Sequence, residues 1–312
     1  MLIDGDMEEA GAAARLQFHI SAALDEHPSL VAYLVQMSCD SLARKSLEGI
    51  LCVGELEDPA LIQLARTIDT RLSATTMKWA LLGYRAYFQQ CCDQVASGEL
   101  SIAMLKASKE AGSRVARGDW VSPQDFSRAS RRGFDWIPDV LINDSKILGV
   151  ALLTELVCTG DDGPTLLATA KRIDDEVARL PRSQGAVKLL MMNWKRTAQQ
   201  HLRSLGGLKA ARLAVAAEQF RLKAGRLPES LDELVPQYLD AVPTDPFDGQ
   251  PMRFAVTEKG IVIYSVGANL ADDGGIVAWQ KTKPHHPDVG FRLFQPQHRG
   301  LLLTDEAPPE ED

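Results

Sequence analysis

Residues 252–266 read MRFAVTEKGIVIYSV, and the period of this stretch decides the fold. Met252, Phe254 and Val256 recur at every second position, and so do Val262, Tyr264 and Val266. A period of two marks strands, because successive side chains point to opposite sides of the pleat. Thr257-Glu258-Lys259-Gly260 separates the two runs, and its glycine is expected to take a left-handed turn position. The stretch therefore reads as an antiparallel hairpin. Asp245-Pro246-Phe247-Asp248-Gly249 in front of it is a turn cluster, and Gly267 to Gly275 behind it is an acidic, glycine-rich loop.

Upstream of the hairpin the period changes to that of helices. Leu213, Ala216, Ala217 and Phe220 stand at i, i+3, i+4 and i+7, and Gly225 supplies a left-handed residue past the helix end. Pro228 to Val235 reads as one short helix closed by Pro236, and Gly206-Gly207 as a boundary or a break in a long helix. Helices are also expected over 6–26, 29–49, 58–72, 74–96, 138–158, 164–179 and 184–205. The first carries a stripe of Leu16, Ile20, Ala23 and Leu24, and the fourth has Trp79, Leu82, Ala86 and Val95 as core candidates. Asp58-Pro59 opens the third, with Asp58 as its cap. Residues 98–140 lose the period and read as loop-rich, with a short helix near 101–110 and a solvated cluster of Arg128, Arg131 and Arg132. The fold class is α+β. A mainly helical region at 1–205, which also reads as the end of a helical-repeat array, precedes a small α+β domain at 206–300. A disordered acidic tail occupies 301–312.

The chain has 312 residues and a formal net charge of −8. An acidic surface disfavours nucleic acid and anionic membranes as partners. No apolar run is long enough to span a bilayer, and the acidic start does not resemble a signal peptide. The chain thus reads as soluble, without direct membrane insertion. Five cysteines, none in a CxxC pair, read as small buried residues or idle thiols.

The sequence contains no HExxH, GxSxG, Walker A or GxGxxG motif. His285-His286 is a loop doublet whose side chains point apart. The carboxylate pairs Asp161/Asp162 and Asp174/Asp175 read as helix caps and solvated charge. One constellation rises above this background. Asp245, Asp248, Asp272 and Asp273 are hard oxygen donors in the two loops that flank the hairpin. Asn269, Ser265 and backbone carbonyls are placed to complete a calcium shell. The plainer reading makes Asp245 a turn cap and Asp272-Asp273-Gly274 a polar loop tip.

Four linked stretches point further. They are Glu218-Gln219-Phe220-Arg221-Leu222-Lys223-Ala224-Gly225-Arg226-Leu227-Pro228, Ser230-Leu231-Asp232-Glu233-Leu234-Val235-Pro236, Asp245-Pro246-Phe247-Asp248-Gly249, and Tyr264-Ser265-Val266-Gly267-Ala268-Asn269 with Asp272-Asp273-Gly274-Gly275. Over roughly 208–276 this order resembles the globular head of major pseudopilins of type II secretion. The resemblance implies a calcium site in the last loop, with Asp272 and Asp273 matching best and Asp245 and Ser265 less well. The basic leader, the cleavage site and the long apolar stalk of a pseudopilin are not found in this sequence. The whole chain looks more like large uncharacterised bacterial proteins in which such a head closes a tetratricopeptide-like helical region. That likeness implies an N-terminal membrane helix in full-length relatives, with the head outside the cytoplasm.

The first functional expectation is a non-catalytic interaction protein. Its helical region would bind protein partners, its head would be a calcium-stabilised module, and its role would be linked to the cell envelope or to secretion. The alternatives are a metal-dependent hydrolase built from Asp245, Asp272 and His285, and a cytoplasmic helical scaffold.

Overall fold

The structure, a computed structural model, describes residues 7–25, 27–74, 76–100, 104–106, 139–160, 162–277 and 288–300. The arginine cluster at 128–132, the His285-His286 doublet and the acidic tail lie outside the described residues. The fold is α+β. Helices α1 Met7–Ala22, α2 Leu30–Val53, α3 Asp58–Ser73, α4 Thr76–Ala96, α5 Asp139–Cys158, α6 Gly163–Arg179, α7 Gly185–Leu190 and α8 Trp194–Ala224 come first. Strands β1 Arg253–Thr257, β2 Gly260–Ser265 and β3 Val289–Phe294 follow.

The chain divides into two compact units. One comprises Met1–His27, Val31–Thr75 and Gln199–Asp312, and the other Pro28–Leu30 and Thr76–Ala198. This division follows a different line from the boundary read at 206. Helix α8 passes through Gly206-Gly207 unbroken. The glycines let neighbours approach instead: a Cβ on Gly207 would stand 2.7 Å from Arg44 Nε, and one on Gly206 would stand 3.2 Å from Ser265 Cβ.

In the first unit the sheet shares one core with α1, α2, α3 and α8. The strands run antiparallel in the order β1-β2-β3. The hairpin has the expected place and register, with Arg253 opposite Tyr264 and Thr257 opposite Gly260. The third strand, whose Val289, Phe291 and Leu293 also alternate, was not anticipated. It makes β2 central, and every residue of β2 is buried. The main core takes Ile261 and Ile263, together with Phe291 and Leu293, rather than Val262 and Tyr264. Val262 and Tyr264 sit on the other face, where Gly275 of the acidic loop lies against both. The loop serves as that face's cover.

Gly260 is not in a left-handed conformation. Its reason is space: a Cβ there would fall 2.1 Å from Leu293 O. Gly260→Ala is therefore expected to cost about 1–3 kcal/mol of stability, as overpacking against fixed backbone does. A urea midpoint equal to that of the wild type would show that β3 yields.

Two helical stripes differ from expectation. On α1, Leu16 and Ile20 are 61% and 55% exposed, while Ala10, Ala14 and Phe18 are buried. The small face lets α1 pack closely on α3. On α4, Trp79 is 55% exposed, and Ala80, Leu81, Phe88, Cys91 and Cys92 are buried instead of Leu82, Ala86 and Val95. Both helices are apolar on several faces, so periodicity alone leaves their rotation open. The α2 sequence reads as a stripe of Leu30, Leu34, Met37, Ser41, Ala43 and Leu47, of which Leu30, Met37, Ala43 and Leu47 are buried and Leu34 and Ser41 half-buried. On α3 the stripe of Leu61, Leu64, Ala65 and Ile68 is buried. Glu57, not Asp58, is the N-cap of α3, and Pro59 lies in its first turn. The helix expected at Pro228–Val235 shrinks to a 3-10 turn at Leu231–Leu234.

In the second unit α4 packs on α5, and α5 on α6 and α7. Asp162 caps α6 by accepting from Thr165 N at 3.3 Å. Asp174 caps α8, accepting from Trp194 N at 2.9 Å and Lys195 N at 2.8 Å. Asp162 does the capping expected at a helix start, whereas Asp174, on the face of α6, caps another helix instead of standing as solvated charge.

Candidate functional site

The turn at 245–249 folds on itself because Gly249 takes φ 74° and donates to Asp245 O at 2.9 Å. This places the Asp245 side chain, 1% exposed, beside the end of β2. Its Oδ1 accepts from Phe247 N at 2.8 Å and Ser265 Oγ at 2.7 Å. Its Oδ2 accepts from Val266 N at 2.8 Å and Arg253 Nη1 at 3.0 Å. Each oxygen thus already has two donors, which occupies a carboxylate's usual capacity. Arg253 also holds Asp248, and that contact keeps the Asp248 carboxyl below its ordinary value. Asp245 and Ser265 form a latch between turn and sheet, and the four lone-pair positions of the Asp245 carboxylate are taken by protein donors.

Asp272 and Asp273 belong to a second cluster. Asp272 Oδ1 accepts from Tyr264 Oη and from Gly274 N, both at 3.0 Å. Asp273 Oδ2 accepts from Asn269 Nδ2 at 2.7 Å. Sequence reasoning missed the third member, Asp288, because it lies outside the motif at the start of β3. It is 3% exposed and accepts from Gly275 N at 2.7 Å and Asp273 N at 3.4 Å. Burial pushes its carboxyl up, and the charges of Asp273 and Asp272 add to this, outweighing the two backbone donors. Burial and the nearby Asp272 push the Tyr264 phenol up to about 12. The four residues read from the sequence are therefore in two places with two kinds of work. Among the described residues no group of three His, Cys, Asp or Glu side chains is arranged to surround one ion.

A buried cluster of charges lies elsewhere in the first unit, around residues not singled out as candidate site residues. Glu218 of α8 is wholly buried. It accepts from Arg221 at 2.9 Å through both oxygens, and from Arg299 at 2.8 and 2.7 Å. Burial alone would raise its carboxyl, but the two guanidiniums outweigh that and hold it below its ordinary value. Arg299 also donates to Gly54 O at 2.9 Å and Phe294 O at 3.0 Å, so one side chain ties α8, the end of α2 and the end of β3 together. Arg71 of α3 binds Asp25 at 2.6 Å and Asp40 at 3.2 Å, joining α2 and α3 to the turn that follows α1. Glu48 of α2 accepts from Arg292 N and Nε of β3 at 3.2 Å.

An open depression of about 660 Å³ runs along α6 in the second unit, beside Arg172 and Glu176. There Arg172 pairs with Glu176 at 2.9 Å and with Glu155, so the surface is a solvated ion-pair face. All five cysteines are free. Burial raises the Cys52 thiol to about 12 and the Cys92 thiol to about 11, which makes both poor nucleophiles.

Among the described residues no helix is long and apolar enough to cross a membrane. Comparison of the chain with protein-family models, with curated proteins and with solved structures finds no match.

Proposed function

We propose that this chain is a non-catalytic interaction protein in which the three-stranded sheet is a rigid module fastened to α1–α3 and α8, and the helices carry the partner surface. One observation supports it above others: the buried charges of the first unit serve as fasteners. Glu218, Asp245, Glu48 and Arg71 each join two or more elements through several hydrogen bonds. Catalytic groups are instead held with a reactive atom open to substrate. The hydrolase alternative loses ground on the same count, since Asp245 is fully engaged. Exposed Leu16 and Ile20 on α1, and Val31, Val35 and Leu42 on α2, give the helices apolar surface for a partner. The resemblance of the head suggests a place in the cell envelope or the secretion machinery.

Affinity capture from native extract tests this with wild type beside a Leu16→Glu/Ile20→Glu double variant. A partner retained by the first and lost by the second is the expected result. Identical captured sets would refute α1 as the binding surface.

A second reading, calcium at the acidic loop, is favoured by one observation. Asp272 and Asp273 crowd Asp288 enough to help raise its carboxyl. A divalent cation would relieve that crowding, drawing on Asp272 and Asp273, while Asp245 and Ser265 take no part. Saturating calcium, at about 100 times its dissociation constant, is expected to add about 2.7 kcal/mol of stability. The gain should vanish in Asp272→Asn. Equal melting temperatures in calcium and in chelator would eliminate this reading.

A further inference from the structure

The chain is acidic overall, yet at one place in the first unit two arginines are answered by only one carboxylate, Glu48, which Arg292 already engages. Arg44 of α2 lies against Gly207 of α8, close enough that a Cβ on that glycine would meet Nε at 2.7 Å. Its Nη1 donates to Gly290 O of β3 at 3.1 Å, a neutral partner. Arg203 stands four residues before Gly207 on the same helix, and residues at that spacing share a face. Arg203 thus shares a face of α8 with the glycine against which Arg44 lies. Glu48, one turn along α2 from Arg44, is engaged by Arg292. Arg203 is half-buried, and among the described residues it has no carboxylate or hydrogen-bond partner.

The electrostatics agree with that placement. Burial lowers Arg44 from its ordinary value, Glu48 offsets part of this, and Arg203 lowers it further. Burial also lowers Arg203. Two partly desolvated like charges repel each other, and such groups are normally paired. The guanidinium fork matches an oxyanion in shape, and two such forks carry the charge that a dianion neutralises.

We propose that Arg44 and Arg203, brought together where α2 meets Gly207 of α8, form a binding site for a divalent oxyanion of the phosphate or sulfate class. Gly207 is the enabling residue, because any side chain there would displace the Arg44 guanidinium.

The test is the melting temperature of the full chain, titrated with sodium phosphate against sodium chloride at matched ionic strength. Phosphate is expected to raise it saturably and chloride is not, and sulfate should act as phosphate does. In Arg203→Gln the phosphate response should be lost. In chloride that variant should melt no lower than wild type, because it removes a charge that had no partner. Arg66→Gln, on the exposed face of α3, should respond as wild type does. Equal responses to phosphate and chloride, or an undiminished response in Arg203→Gln, would overturn the proposal. So would a lower melting point of Arg203→Gln in chloride, since that would reveal a structural partner.

Discussion

Glu218→Gln is expected to destabilise the first unit by about 3–5 kcal/mol, the usual consequence of removing one member of a buried ionic cluster. The substitution keeps the shape of the side chain and removes its charge, leaving the Arg221 and Arg299 guanidiniums without their shared counter-ion. Hydrogen exchange of the β2 and β3 amides is the suitable reading, since it follows this unit apart from the other. The effect should also depend on pH. The folded-state carboxyl of Glu218 lies below its ordinary value of 4.5, so its stabilising contribution is fully present above that value. It is lost as pH falls through the lower folded-state value. Wild type and variant should therefore differ strongly near neutrality and converge in acid. A difference that does not change with pH would mean that the variant acts through packing, and the ionic account of this cluster would fail.

The Glu218 cluster also shows what a single sequence conceals. Glu218 and Arg221 are three apart on a helix that reads correctly from its apolar positions, so an i,i+3 pair was visible there. Arg299 is 81 residues away. Nothing local marks it, since its role exists only once β3 has paired with β2 and returned the chain to Gly54 of the α2 end. Asp288 was hidden for a similar reason, because the backbone amides of Asp273 and Gly275 that it accepts from stand 15 and 13 residues before it, in the loop that follows β2. The legible parts were those with a local cause. The hairpin follows from alternation and a two-residue turn, and Gly225 from a helix end that needs φ 73°. The Asp162 cap follows from a helix start, while the Asp174 cap of α8 spans twenty residues and has no local mark. Gly260 was placed correctly in the turn but given the wrong reason, because the neighbouring backbone that excludes a side chain belongs to β3. The rotation of α1 was misread because its larger apolar residues point outward, while alanines, Phe18 and a glycine line the contact with α3. At the candidate metal loops the residue types were legible, and their partition between two tasks was not. Asp245 and Asp272 look alike in sequence, and they differ in how many protein donors the fold aims at each.

That difference gives the second large effect. Asp245→Ala is expected to cost about 3–5 kcal/mol, because four donors lose their acceptor at a buried site and each unsatisfied group costs on the order of 1–3 kcal/mol before local relaxation. The four are Phe247 N, Ser265 Oγ, Val266 N and Arg253 Nη1. Two of them lie at the end of β2 and one on β1, so the loss should appear as faster exchange along the hairpin as well as in the 245–249 turn. The effect should be equal in calcium and in chelator, since every lone pair of this carboxylate that faces the protein is already in use. Asp272→Asn should behave in the opposite way, nearly neutral in chelator and deficient only in calcium. If Asp245→Ala instead lost much more stability in calcium than in chelator, Asp245 would have to leave its four donors to bind the ion. The latch between turn and sheet would then be the metal-free state of a switch rather than a permanent part of the fold.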